Sequence, residues 1–200
     1  MEITREIAAK VLSAVDVGLV KGIGKPIPGE MCVEAAVCYA MGLPHGDDPK
    51  CVAPTLRAFK IRLNDAIWPS NEDRAKGLRR LALVQLGSAG AMDEKDFTKR
   101  LATLTIKKIV PIALRAAATR QKNKTHKTAL LDAADVCEHE GTRESALNAN
   151  KVVTDAATDA ATADAIRLKI LSDFAEDVVQ LLIEMKVPGV QWLELAPLAT

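Results

Sequence analysis

Glu30-Met31-Cys32-Val33-Glu34-Ala35-Ala36-Val37-Cys38-Tyr39-Ala40-Met41, stopped by Gly42 and followed by Leu43-Pro44, is the stretch whose reading decides the fold. Glycine just past the last helical residue takes the left-handed conformation without steric cost, and a proline beyond it cannot continue the helix. The segment is apolar almost all round, with Glu34 the one charge inside it. A helix that is apolar on every face belongs in a core.

Working outward, the neighbouring segments read as helices too. Ile3, Ile7, Val11 and Val15 recur every four residues, which predicts a helix over about Thr4–Val17 with Thr4 as its cap. Gly18, Gly22, Gly24, Pro26, Pro28 and Gly29 then forbid regular structure. After a loop over His45–Pro54, Val52, Leu56, Phe59 and Leu63 mark a third helix. Ser70 and Asp73, with capping-box-like spacing, open a fourth whose buried line is Ala75, Leu78, Leu81 and Ala82 and whose end is Gly87. Asp93 caps a fifth with Phe97, Leu101 and Leu104 inward, and Pro111 is expected to kink or break it. A sixth piece runs from Pro111 to about Arg120, and a polar connector covers Gln121–Lys127. A seventh helix covers Lys127 to about His139 and is closed by Gly141.

From Thr142, Ala149, Val153, Ala156, Ala160, Ala163, Ile170, Phe174, Val178, Leu181 and Met185 step mainly by three and four. They predict one long helix, or two collinear ones, over about 142–186, including the period-four tract TDAATDAATADA at 154–165. The expected architecture is therefore all-α: an irregular multi-helix bundle of short helices packed with one long Ala-rich C-terminal helix. It reads as a single domain over 1–200, with a motif-bearing half at 1–90 and a helical half at 91–200. The small residues along 142–186 suit close antiparallel packing, or a homodimer that pairs two chains through this helix.

Composition supports this class. Of the residues 48% are apolar, 26% are charged and only six are aromatic, so Ala, Leu, Val and Ile must fill the core. A β-sandwich would want more aromatic and β-branched residues. Net charge is +1, but residues 51–150 carry 18 Lys/Arg against 11 Asp/Glu, while both ends are acidic. A basic middle fits an anionic partner, or pairing between the segments themselves. The N-terminus reads as an amphipathic helix and not a signal peptide, and no apolar run approaches the roughly 20 residues of a membrane span. The expectation is a cytoplasmic protein, away from membranes, with Cys32, Cys38, Cys51 and Cys137 reduced.

Residues with chemical potential gather between Gly22 and Pro54. Cys32 is expected at the first turn of its helix, where unpaired N–H groups and the helix dipole favour a thiolate. With His45 as base, oriented by Glu34, Asp47 or Asp48, it is a candidate catalytic nucleophile. Cys32, His45 and Cys51 are equally candidate zinc ligands, with Asp47 or Asp48 as a fourth. The plainer alternative is buried cysteine and a loop that hydrogen-bonds its own turn. Gly24-Lys25 falls short of a phosphate loop, since Pro26 replaces the Ser or Thr that would hold magnesium. Lys76, Arg79 and Arg80 share a face of the fourth helix, with Arg57, Lys60 and Arg62 on the third, and such a face could meet nucleic-acid phosphates. Cys137-Glu138-His139-Glu140 reads as a helix terminus.

The stretch Met31-Cys32-Val33-Glu34-Ala35-Ala36-Val37, then Pro44-His45-Gly46-Asp47-Asp48-Pro49 and Cys51-Val52, resembles an uncharacterised family of bacterial and phage-encoded proteins that carries an MCVEAAV…PHGDDPxCV motif. Leu63-Asn64-Asp65-Ala66 and Leu78–Gly87 fit the same resemblance, which covers about Gly29–Ser88. The family has no established activity, so the resemblance implies no catalytic residues. It does imply a bacterial or mobile-element origin. Few convergent polar groups, a long small-residue helix and a basic middle together favour a non-enzymatic interaction protein with a macromolecular partner, as in an inhibitor in phage–host conflict. The alternatives are a zinc- or cysteine-dependent enzyme at Cys32 and His45, and a DNA-binding regulator using Lys76, Arg79 and Arg80.

Overall fold

The computed structural model describes residues 2–156 and 164–198, with side-chain surroundings for 2–152 and 168–198. In chain order these residues form α1 (Arg5–Asp16), α2 (Val33–Ala40), α3 (Pro54–Asn64), α4 (Asn71–Val84), α5 (Glu94–Arg120), α6 (Lys124–Glu140), α7 (Arg143–Ala156), α8 (Asp164–Glu184) and a 3-10 helix (Pro188–Leu195). Among the described residues there is no strand, and one isolated bridge joins Gly24 to Met31. The fold is all-α. No helix among the described residues is long and apolar enough to cross a membrane.

Helix ends follow from local chemistry. Thr4 caps α1, its hydroxyl accepting from the Ile7 N–H. Ser70 caps α4: its hydroxyl accepts from the Asp73 N–H at 3.0 Å and faces the Asp73 carboxylate at 3.1 Å. Gly141 ends α6 at φ 64, a left-handed cap whose N–H bonds the Cys137 carbonyl.

The chain divides into two compact units, Met1–Phe97 with Asp164–Thr200, and Thr98–Ala163. In the first, α4 packs against α1, α8 and the 3-10 helix, and Leu78, Leu81, Leu83 and Leu86 are wholly buried. As expected, α2 is buried along its length, Tyr39 alone being exposed. Phe59 of α3 meets Phe174 of α8 edge to face at 5.8 Å. In the second unit, Leu114, Ala117, Ala118, Leu130, Ala134, Cys137 and Ala149 form one core cluster.

Three expectations need correction or limits. Pro111 was expected to kink or break the fifth helix, and of the two the break, with a separate sixth piece from Pro111, does not occur: α5 runs continuously from Glu94 to Arg120 with the proline inside it. α6 begins at Lys124 and not Lys127, because Asn123 accepts from the N–H groups of Thr125 and His126 and starts the helix early. The 142–186 segment contributes α7 to one unit and α8 to the other, and the link expected through 157–163 lies outside the described residues.

Candidate functional site

The glycine-rich loop Gly18–Met31 is held by the C-terminal end of α3. The Asn64 amide accepts from the Val33 N–H at 3.3 Å and donates to the Val20 carbonyl at 2.9 Å. Asp65 accepts from the Gly22 N–H at 2.8 Å. Buried Arg74 of α4 donates to the carbonyls of Asn64 at 2.8 Å and Leu19 at 2.9 Å. Gly24 is required there: at φ +70 a Cβ would lie 2.0 Å from the Glu30 carbonyl oxygen. This brace delivers Cys32 to the start of α2.

Cys32 is the N-cap itself, one residue before the first turn, and its Sγ accepts from the Ala35 N–H at 3.4 Å. It is buried, and burial raises its pKa against the lowering effect of the Ala35 and Glu34 N–H groups. The helix-terminus field expected to make a thiolate is present but outweighed by desolvation. Cys38 is likewise pushed up to about 11, by burial first and then by the Glu34 charge.

His45 lies elsewhere. It is exposed, with Nε2 at 3.1 Å from the Gly24 carbonyl oxygen. Cys51 is half-buried and its thiol faces the Met41 sulfur at 3.5 Å, with burial raising its pKa too. Cys32, His45 and Cys51 do not converge as ligands, and no group of three or more His, Cys, Asp or Glu among the described residues is placed to hold a metal ion.

The centre of this region is a pair that the sequence did not announce. Glu34 of α2 and Lys60 of α3 meet at 3.3 Å (Oε1 to Nζ), with both side chains at 0% exposure. Neither carboxylate oxygen nor the ammonium completes a hydrogen bond of normal geometry, and the Gln85 carbonyl oxygen nearby is also unpartnered. Burial raises the Glu34 pKa and lowers that of Lys60, each opposed by the charge of the other. Both shifts favour the neutral forms. Lys60 was expected on a solvated basic face. It instead falls on the apolar side of α3, four residues after Leu56 and three before Leu63, both buried. That spacing, and the lone charge of Glu34 in an apolar helix, were the signals available.

The other basic candidates are mostly engaged. Arg79 makes a two-pronged contact with Asp16 at 2.7 and 3.1 Å. Arg80 bonds Glu176 at 2.9 Å and the Ala196 carbonyl at 2.7 Å. Arg57 pairs with Asp48. Lys76 is exposed, with Glu72 one turn before it. The expected phosphate-reading face is thus largely spent on holding α4 to α1 and α8.

Two larger surface clefts also lie in this unit. One, about 510 Å³, is lined by Met41, Cys51, Leu86, Pro188 and Trp192 among others, whereas Cys32, 4% exposed, borders only a small cavity of about 40 Å³ with Glu34, Asp47 and Asp65. The other is a groove of about 640 Å³ floored by Lys10, Ser13, Ala14 and Val17 of α1 and its C-terminal end, and walled by Pro28, Tyr39, Ala40 and Gly42. Val17 is 60% exposed, Tyr39 48% and Ile27, beside Pro28, 50%. No protein-family model, no functionally described protein and no solved structure matches this chain.

Proposed function

We propose that this protein is a non-enzymatic interaction module whose first unit takes a helix of a partner protein into the groove between α1 and α2. The observation that carries this reading is the groove along α1, where Lys10, Ser13 and Val17 are exposed and Ala14, 3% exposed, lies between them at its floor. Small residues at its centre let a second helix axis approach closely, and distances of about 8–10 Å between axes depend on such side chains. Val17 and Tyr39, which line the groove, and Ile27, next in sequence to its wall residue Pro28, are about half exposed and supply apolar anchors. Lys10 at one end suits an acidic residue on the incoming helix. This is helix-in-groove recognition, with an amphipathic segment reading anchors at helical spacing. The buried thiols and the enclosed Glu34–Lys60 pair support a structural role for the motif region. An inhibitor in phage–host conflict is one setting for such a module, on the resemblance of the Met31–Val52 stretch.

A photo-crosslinking amino acid placed at Tyr39 tests the reading in host cells. The expected result is one dominant crosslinked peptide with helical spacing of apolar residues, lost when Val17→Asp is added to a still-folded protein. Crosslinks scattered over many unrelated peptides, or unchanged by Val17→Asp, would overturn it.

A further inference from the structure

From Thr98 to Leu131 the chain carries nine Lys/Arg and not one Asp or Glu. The structure partly disperses that charge. Arg115 is matched by Asp135 at 2.8 Å and Glu138 at 2.5 Å, both from α6. Of the basic residues that no acidic group matches, three gather in the turn between α5 and α6, where Lys122, Lys124 and Lys127 are all exposed and paired with no acidic group among the described residues.

Lys124 and Lys127 stand on the first turn of α6, one helical turn apart on the same face. Cations at a helix N-terminus oppose the helix dipole, which favours anions there, and like charges three residues apart repel. Soluble surfaces ordinarily intersperse both signs. A cluster that breaks both rules with no compensating contact inside the protein is the kind of local inconsistency that binding sites carry. The intervening residues, Asn123, Thr125 and His126, and the flanking Thr119, Gln121 and Thr128 are polar. They offer no apolar wedge for a lipid surface, whereas hydroxyl and amide side chains beside lysines suit phosphate oxygens. Residues 98–163 contain no Phe, Tyr or Trp, and His126 is the one ring in the turn, so successive unpaired bases find no row of aromatic platforms there.

We infer that the α5–α6 turn of the second unit is a phosphate-backbone contact for a nucleic-acid duplex, made by Lys122, Lys124 and Lys127 without reading sequence. It belongs to the second unit, and the inference does not depend on the groove of the first.

Fluorescence anisotropy with the full chain and a labelled 20-base-pair DNA duplex, an RNA duplex of the same sequence and the single DNA strand tests this. Three phosphate contacts give a log affinity against log salt slope of about −3, or about 40-fold weaker binding at 200 than at 50 mM salt. The expected result is that Lys122→Gln/Lys124→Gln/Lys127→Gln removes most of that slope, while Lys21→Gln/Lys95→Gln/Lys151→Gln, exposed and of equal charge change, keeps it. The two duplex arms identify which nucleic acid is bound more tightly. No binding to either duplex at 50 mM salt overturns the inference. So does equal loss in the two triple variants, tighter binding to the single strand, or full competition by anionic lipid vesicles.

Discussion

Lys60 reaches Glu34 at 3.3 Å across the α2–α3 contact with neither side chain touching solvent. Taking one partner away leaves a buried charge uncompensated, which costs about 3–5 kcal/mol, whereas replacing both by apolar groups of similar volume is commonly neutral or stabilising. Lys60→Met is therefore expected to lose about 3–5 kcal/mol in urea denaturation, and Glu34→Met/Lys60→Met to recover most of it. The loss in Lys60→Met should also depend on pH. Burial holds the Glu34 carboxyl above its ordinary value of 4.5, and Lys60 is the leading group opposing that rise. A carboxyl raised in the folded state contributes stability that is complete below its unfolded pKa and is lost as pH rises through its folded one. Lys60→Met should thus be more damaging relative to wild type at pH 7 than at pH about 4. A penalty independent of pH, with no recovery in the double variant, would show that the methionine shape and not the orphaned charge is responsible.

The four thiols give a second prediction. Burial raises the pKa of Cys32, Cys38, Cys51 and Cys137, and Cys51 is the least enclosed of them. Because the thiolate is the reactive form, iodoacetamide should label the folded protein at pH 7.5 more slowly than a model thiol, at Cys51 before the others, and label all four in urea. Peptide mapping by mass spectrometry reads the order. Labelling of Cys32 faster than a model thiol would restore the nucleophile reading and contradict the dominance of burial over the helix-terminus field.

The sequence makes legible what depends on local chemistry. Thr4 and Ser70 announce their caps, Gly42 and Gly141 their stops, and the apolar girth of α2 its burial, since each of these is settled within one helical turn. What it hides depends on distant partners. Arg79 and Arg80 read as a free basic face because Asp16 and Glu176 lie 63 and 96 residues away in the chain. Cys32 reads as activated because its place at the start of α2 is local, while the packing that buries it comes from other elements. Lys60 reads as solvated because lysine almost always is, although its helical position pointed inward.

Pro111 marks the opposite error, in which a strong local rule was overridden, and it supplies the last prediction. A proline inside a helix lacks an N–H and crowds the carbonyl four residues before it, here Lys107, at a cost of about 3 kcal/mol relative to alanine. α5 nevertheless continues through it, with Leu114 two percent exposed one turn on and Ile106 and Val110 packed on the unit's core. Pro111 is itself buried, so Pro111→Ala removes two buried methylenes, a loss of about 1.6 kcal/mol at roughly 0.8 each. The backbone gain exceeds the packing loss by about 1 kcal/mol. Pro111→Ala is therefore expected to raise the urea midpoint slightly and to slow amide exchange in the turn after Lys107. A destabilised variant would mean instead that the ring fills a space alanine leaves open, and that the packing which carries the helix past residue 111 depends on the proline it had to accommodate.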